Sequence, residues 1–162
     1  MPILHTISPV YDQNSRILIL GSFPSVKSRE SGFFYGHPQN RFWKVLSAVF
    51  EDSLPQTIDE KRIFLLKHRI ALWDVIASCE IRGSSDQSIK NAVPNDLSII
   101  LETAQIQTIF TNGGTATRLY SRYLQEKTGR EAISLPSTSP ANAAFSLSRL
   151  IDVWRVICTQ DA

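Results

Sequence analysis

The sequence predicts a three-layer α/β/α sandwich built on a central four-stranded, mostly parallel sheet. Three observations predict it. Four short apolar runs each stop at glycine, proline or polar residues, amphipathic helical stripes lie between them, and the two kinds of segment alternate along the chain. At 162 residues and 43% hydrophobic composition, the chain can bury roughly 70% of its unfolded surface without disulfides or metals. One domain spanning residues 1–162 is expected.

Taken in order, Arg16-Ile17-Leu18-Ile19-Leu20 is continuously apolar and ends at Gly21, the pattern of a strand buried on both faces. Over residues 41–50, Phe42, Val45, Leu46 and Val49 fall on one helical stripe. A second helix is expected over 59–67, and a second strand over 69–75. Asn95 is placed to cap a helix containing Leu97, Ile100 and Leu101. A third strand follows at 108–111. Gly113-Gly114 then opens a helix through Leu119, Tyr120 and Tyr123 to Gly129. A fourth strand at 132–135 precedes a final helix over 146–158, striped by Leu147, Leu150, Ile151 and Trp154. In sheets of this kind ligands bind beyond the carboxyl ends of the strands. The loops after Leu20, Val75, Thr111 and Leu135 are therefore expected to meet in one cleft.

A net charge of +2 permits local contact with a polyanion but falls short of the excess carried by charge-driven nucleic-acid binders. Cys79 and Cys158 are far apart and lack the paired spacing of a zinc or iron–sulfur site, so buried, reduced, structural thiols are expected. Met1 to Thr6 has neither a basic start nor a long apolar core, and no stretch approaches the ~18 apolar residues of a membrane span. A soluble, cytoplasmic protein with no membrane association is expected.

Three segments carry the chemistry. Gly21-Ser22-Phe23-Pro24-Ser25 follows the first strand, where glycine admits a close backbone approach and Pro24 stiffens the turn. It lacks the Gly-Lys-Ser/Thr ending of a phosphate-binding loop and the glycine spacing of a dinucleotide fingerprint, so taken alone it is an ordinary strand-to-helix turn. In the second segment, Phe33, Phe34 and Tyr35 precede the turn Gly36-His37-Pro38, and Asn40 stands where it either caps the first long helix or faces a ligand. Aromatic rings beside a carboxamide at a strand end suit a flat base held by its face, with water positioned near its sugar. The third segment, Leu135-Pro136-Ser137-Thr138-Ser139-Pro140-Ala141-Asn142-Ala143, offers hydroxyls and exposed backbone N–H groups from Ser137, Thr138, Ser139 and Asn142, a set able to hold a DNA phosphate.

The order Gly-x-x-Pro-x, then Gly-His-Pro-x-Asn-Arg-Phe-Trp-Lys after an aromatic residue, then a Pro-Ser loop near the C-terminus, resembles the uracil-DNA glycosylase superfamily. The middle motif is similar to that of mismatch-specific uracil glycosylases. The complete set, with Gly-Ser-Phe-Pro-Ser first and Ser-Thr-Ser-Pro-Ala-Asn last, is most similar to the hypoxanthine-DNA (deoxyinosine) glycosylase branch, and the similarity spans nearly the whole chain.

That resemblance implies a monofunctional enzyme hydrolysing the glycosidic bond of a deaminated base in DNA, hypoxanthine first. The alternatives are a uracil or G:U/T mismatch glycosylase and a non-catalytic base-binding module. Where most of the superfamily holds its water with an Asn or Asp, this chain has Phe23, and the resemblance transfers the role to Asn40. Tyr35 falls where relatives stack the flipped base, and Asp74 falls where several read the base edge with Asn. Gly21, Ser22 and Phe23 complete the base site, while Ser25 and Lys27 join the last loop in contacting DNA. Leu135 replaces a histidine found in some branches, and Ser139 replaces an apolar wedge. Both changes argue against an efficient uracil enzyme. His37 is read as a structural turn residue. No metal, cofactor or covalent nucleophile is implied, Lys27 and Lys44 being read as phosphate contacts or solvated side chains. The expected partner is damaged DNA, bound by a monomer.

Overall fold

A computed structural model describes residues 2–159. Seven strands occur among the described residues, in chain order β1 (Ile3–Leu4), β2 (Ile17–Gly21), β3 (Ile70–Asp74), β4 (Ile76–Glu80), β5 (Lys90–Pro94), β6 (Thr108–Asn112) and β7 (Ala132–Leu135). The helices are α1 (Val26–Ser31), α2 (Phe42–Val49), α3 (Ile58–Lys67), α4 (Ser98–Leu101), α5 (Gly114–Tyr123), α6 (Gln125–Thr128), α7 (Leu147–Trp154) and α8 (Val156–Thr159). No helix among the described residues is long and apolar enough to cross a membrane.

Four strands form one parallel sheet in the order β3-β2-β6-β7, flanked by helices as the alternating pattern predicts. All five residues of β2 and of β3 are buried, which is why those runs are apolar without alternation. The fourth run departs from that expectation. β7 is an edge strand with Ile133 and Ser134 exposed. Helix α3 packs on β3, α5 packs on β6 and β7, and α2 packs on α7. Phe42, Val45 and Leu46 of α2 are fully buried, and each large apolar side chain so placed contributes about 1.5–3 kcal/mol.

Because β2 is followed by β3 on one side and β6 is added on the other, the strand order reverses between β2 and β6. A crevice opens at that point, at the carboxyl ends of the strands. Gly21 and Asn112 terminate the two strands there.

A second sheet, β1-β4-β5, is antiparallel throughout and had no counterpart in the sequence reading. The chain leaves β3 and passes across the end of β2, with Val75 N and Ile76 N donating to the Gly21 and Ser22 carbonyls at 2.8 and 3.1 Å. It then runs up β4 and back down β5, so the connecting residues 81–89 overhang the crevice. Register shifts in the β4–β5 pairing blur the alternation that announces a hairpin.

Several helix boundaries also differ from expectation. Asn95 caps nothing: its Nδ2 donates to the Asp74 and Ile76 carbonyls at 2.9 and 3.2 Å, tying the start of α4 to the strand end, and Asp96 Oδ1 accepts from Ser98 N instead. The helix expected from Gly114 to Gly129 breaks at Leu124, and the last one breaks at Arg155. A short α1 follows the first glycine turn, capped by Ser25, whose Oγ accepts from Ser28 N. Cys79 is buried as expected, whereas Cys158 is exposed, and both are free thiols.

Candidate active site

The crevice between β2 and β6 holds a pocket of about 350 Å³, at the small end of the range for small-molecule sites. Gly21, Ser22, Phe23, Pro24 and Ser25 form one wall, Tyr35, His37 and Asn40 another, Asp74 and Asn112 the floor, and Ser137, Thr138, Ser139, Pro140 and Ala141 the far side. Ser84 and Asp86, from the overhanging connection, close it. The lining residues come from six separate stretches of the chain. Two of the predicted site residues lie outside: Lys27 is exposed and paired with Glu30 at 3.6 Å, and the Asn142 side chain donates to the Ser137 carbonyl at 3.0 Å.

Gly21 is required by contact. A Cβ there would overlap Asp74 Oδ1 and lie 3.0 Å from the Tyr35 hydroxyl, so any side chain would displace the Asp74 carboxylate. Phe23 is 8% exposed and meets the His5 ring edge-on at 5.9 Å. It supplies an apolar wall and no hydrogen bond.

Asp74 has a partner that the sequence did not reveal. His5 Nε2 lies 2.8 Å from Asp74 Oδ2, with both side chains almost fully buried. His5 Nδ1 accepts from Ile7 N at 3.2 Å, so the ring proton sits on Nε2 and Asp74 is the acceptor. The two residues are 69 apart in sequence and meet only because β1 pairs with β4. No local signal marks His5.

Tyr35 adopts φ 53°, a left-handed conformation that a non-glycine residue rarely takes. Its ring stacks on Phe42 at 4.0 Å between centroids with 17° between planes. The hydroxyl is buried and makes no hydrogen bond among the described residues, although Asn112 and Asp74 lie nearby. Burial, followed by the Asp74 charge, drives its acidity far below that of an ordinary phenol. Tyr35 is therefore a rigid neutral ring.

Asn40 combines both roles left open by the sequence. Its Oδ1 accepts from Phe42 N at 2.9 Å and from Thr138 Oγ1 at 2.9 Å, so it does cap the start of α2. Thr138 Oγ1 in turn accepts from Asn112 Nδ2 at 3.0 Å, while Asn112 Oδ1 accepts from Thr138 N at 3.1 Å. With both lone pairs of Oδ1 engaged, the amide orientation is fixed by the Phe42 N–H, and Nδ2 is the Asn40 atom available to the pocket. Asn112, which the sequence reading missed, was findable: it ends a central strand on the ligand side of the sheet.

The last loop is held in place by Arg41. Its guanidinium donates to the Ser139 carbonyl at 2.8 Å, the Asn142 carbonyl at 3.1 Å and the Phe145 carbonyl, and its backbone N–H donates to the Thr138 carbonyl at 3.1 Å. Trp154 Nε1 anchors the start of the loop on the Pro136 carbonyl at 3.0 Å. The exposed N–H groups expected of this loop are largely occupied. Thr138 N, Ser139 N, Ala141 N and Asn142 N donate to Asn112, Ser137, Ser139 and Ser139 respectively. Hydroxyls, rather than backbone N–H groups, are what this loop offers a phosphate.

The pocket can hold a planar ligand between apolar walls, present an acceptor at Asp74, and offer an amide donor at Asn40. Comparison with known proteins adds the family. The model of the Uracil DNA glycosylase superfamily matches residues 8–157. Two similar proteins are named hypoxanthine DNA glycosylase. The one from Methanosarcina acetivorans is 39% identical over 142 residues, covering 86% of this chain and 89% of the relative, and the one from Methanosarcina barkeri is 34% identical, covering 87% and 89%. A solution NMR structure of a candidate uracil DNA glycosylase from Methanosarcina acetivorans superposes with a TM-score of 0.79 at 33% identity, over 97% of this chain and 99% of that one.

Proposed function

The chain belongs to the uracil DNA glycosylase superfamily, and from that membership we infer that it is a DNA glycosylase that hydrolyses the N-glycosidic bond of a deaminated base, hypoxanthine above all. The observation that carries the reading is the convergence of the glycine turn, Tyr35, Asn40 and the Pro-Ser loop on one pocket at the reversal point of the sheet. Two relatives that cover most of the chain bear the name hypoxanthine DNA glycosylase, which supports the choice of base.

In this reading the damaged nucleotide leaves the duplex and its base enters the pocket. Mispairing lowers the cost of extrusion. Tyr35, fixed by Phe42, offers the stacking face, worth ~1–3 kcal/mol per base. Asp74 accepts from a ring N–H, such as hypoxanthine N1–H, and His5 holds that carboxylate in position. Cleavage leaves positive character on the sugar, stabilised by the DNA phosphates and the fixed dipoles of the pocket. Asn40 positions the attacking water by donating from Nδ2 to one of its lone pairs, leaving the other directed at C1′. It contributes placement rather than proton abstraction. Ser137 and Ser139 contact the DNA backbone. A monomer bound to damaged DNA is the proposed working form.

The test is a panel of duplex oligonucleotides carrying one deoxyinosine, one uracil or no lesion, treated with protein and then with alkali to cut abasic strands. The deoxyinosine strand is expected to be cut fastest. Faster cutting at uracil would make the protein a uracil enzyme on the same scaffold, and no cutting above the undamaged control would remove the glycosylase reading altogether.

A further inference from the structure

When the bond from C1′ to a purine ring nitrogen breaks, its electron pair stays on the base, and the base leaves most readily if a proton meets it. Apart from the His5-bonded Asp74 and the Tyr35 phenol, the titratable side chains lining the pocket are His37 and Asp86. His37 Nδ1 is engaged by Gln39 N at 3.1 Å within its own turn. Asp86 reaches the pocket from the connection between β4 and β5. Its Oδ1 accepts from Ser22 Oγ at 2.8 Å, while Oδ2 makes no hydrogen bond among the described residues.

That connection is held in place against the glycine turn and α1. Ser84 Oγ accepts from Val26 N at 2.9 Å, and Arg29 Nη2 donates to the Gly83 carbonyl at 2.8 Å. The carboxyl of Asp86 is thus fixed over the same turn that forms the pocket wall.

We propose that Asp86, oriented by Ser22, is the acid that protonates the departing base. Partial removal from water raises the Asp86 pKa, the Ser22 hydrogen bond opposes that rise, the Asp74 charge adds to it, and Arg118 opposes it. A base filling the pocket displaces more water and favours the neutral carboxyl further. The step balances: C1′–N breaks with its electrons going to the base, Asp86 Oδ2 gives its proton to a base nitrogen, and water adds OH to C1′. The proton released by that water restores the acid.

This assignment rests on the glycosylase reading, and the experiment separates the two. Single-turnover excision is followed from about pH 5 to about pH 9 for the wild type, Asp86→Asn, Ser22→Ala and His37→Gln. The substrates are a deoxyinosine duplex and one whose hypoxanthine is methylated at N7. The methylated base already carries the positive charge that protonation would supply, so it leaves without an acid. Asp86→Asn is expected to lose ~10²-fold on deoxyinosine, to lose the fall in rate at rising pH, and to cleave the methylated duplex at close to the wild-type rate. Ser22→Ala is expected to move the alkaline fall to higher pH, because the hydroxyl stabilises the carboxylate. Equal losses of Asp86→Asn on both substrates, an unchanged pH profile, or a profile abolished by His37→Gln instead would overturn the assignment. A wild type silent on both duplexes would overturn the glycosylase reading and this proposal with it.

Discussion

At the residue scale, Asn40 answers a question posed by Phe23. Phe23 offers the pocket no hydrogen bond, and the carboxamide proposed to position water is Asn40, fixed in the pocket by Phe42 N and Thr138 Oγ1. Because both bonds use Oδ1, the atom left for that proposed role is the Nδ2 donor. Asn40→Asp keeps the cap and removes the donor. It is expected to unfold near the wild-type temperature while excising deoxyinosine ~10²-fold more slowly, whereas Asn40→Ala is expected to lose about 1 kcal/mol of stability as well. An Asn40→Asp variant as active as the wild type would make the group an acceptor instead. Gly21 invites a second substitution: Gly21→Ala places a methyl on Asp74 Oδ1 and the Tyr35 hydroxyl. A stability loss of about 1–3 kcal/mol in urea unfolding is expected, with excision abolished because Asp74 is displaced.

At the scale of elements, the pocket depends on how firmly the last loop is attached to the start of α2. The Arg41 guanidinium reaches four carbonyls of that loop, a geometry that the single ammonium of lysine does not reproduce. Arg41→Lys is therefore expected to increase hydrogen exchange over residues 138–145 and to cost about 1–3 kcal/mol through unpaired acceptors. Unchanged protection would show that Trp154 and Thr138 hold the loop unaided. The β2, β3 and β6 strands and the α2 and α7 stripes were legible in the sequence because a buried parallel strand and an amphipathic helix each write a simple periodicity. The β1-β4-β5 sheet was not. Its strands are short, irregularly registered and half-exposed, and they carry no such pattern.

At the scale of the whole molecule, that second sheet decides what the sequence left hidden in the site. It brings His5 to Asp74 and Asp86 to Ser22, contacts spanning 69 and 64 residues that no local motif encodes. The residues that were legible lie in contiguous motifs: Gly21 and Ser137 to Ser139 at strand ends, where the topology of a parallel sheet gathers them, and Tyr35 and Asn40 in the connection between α1 and α2. A net charge of only +2 gives the chain a weak overall field, so the proposal assigns recognition of damaged DNA to the shaped pocket. The account is tested most directly by incubating the protein with a duplex containing one deoxyinosine and measuring the released base by mass spectrometry. Free hypoxanthine in step with abasic strand, and no adenine from the undamaged duplex, is the predicted result. An intact strand with no free base from deoxyinosine or uracil would contradict it.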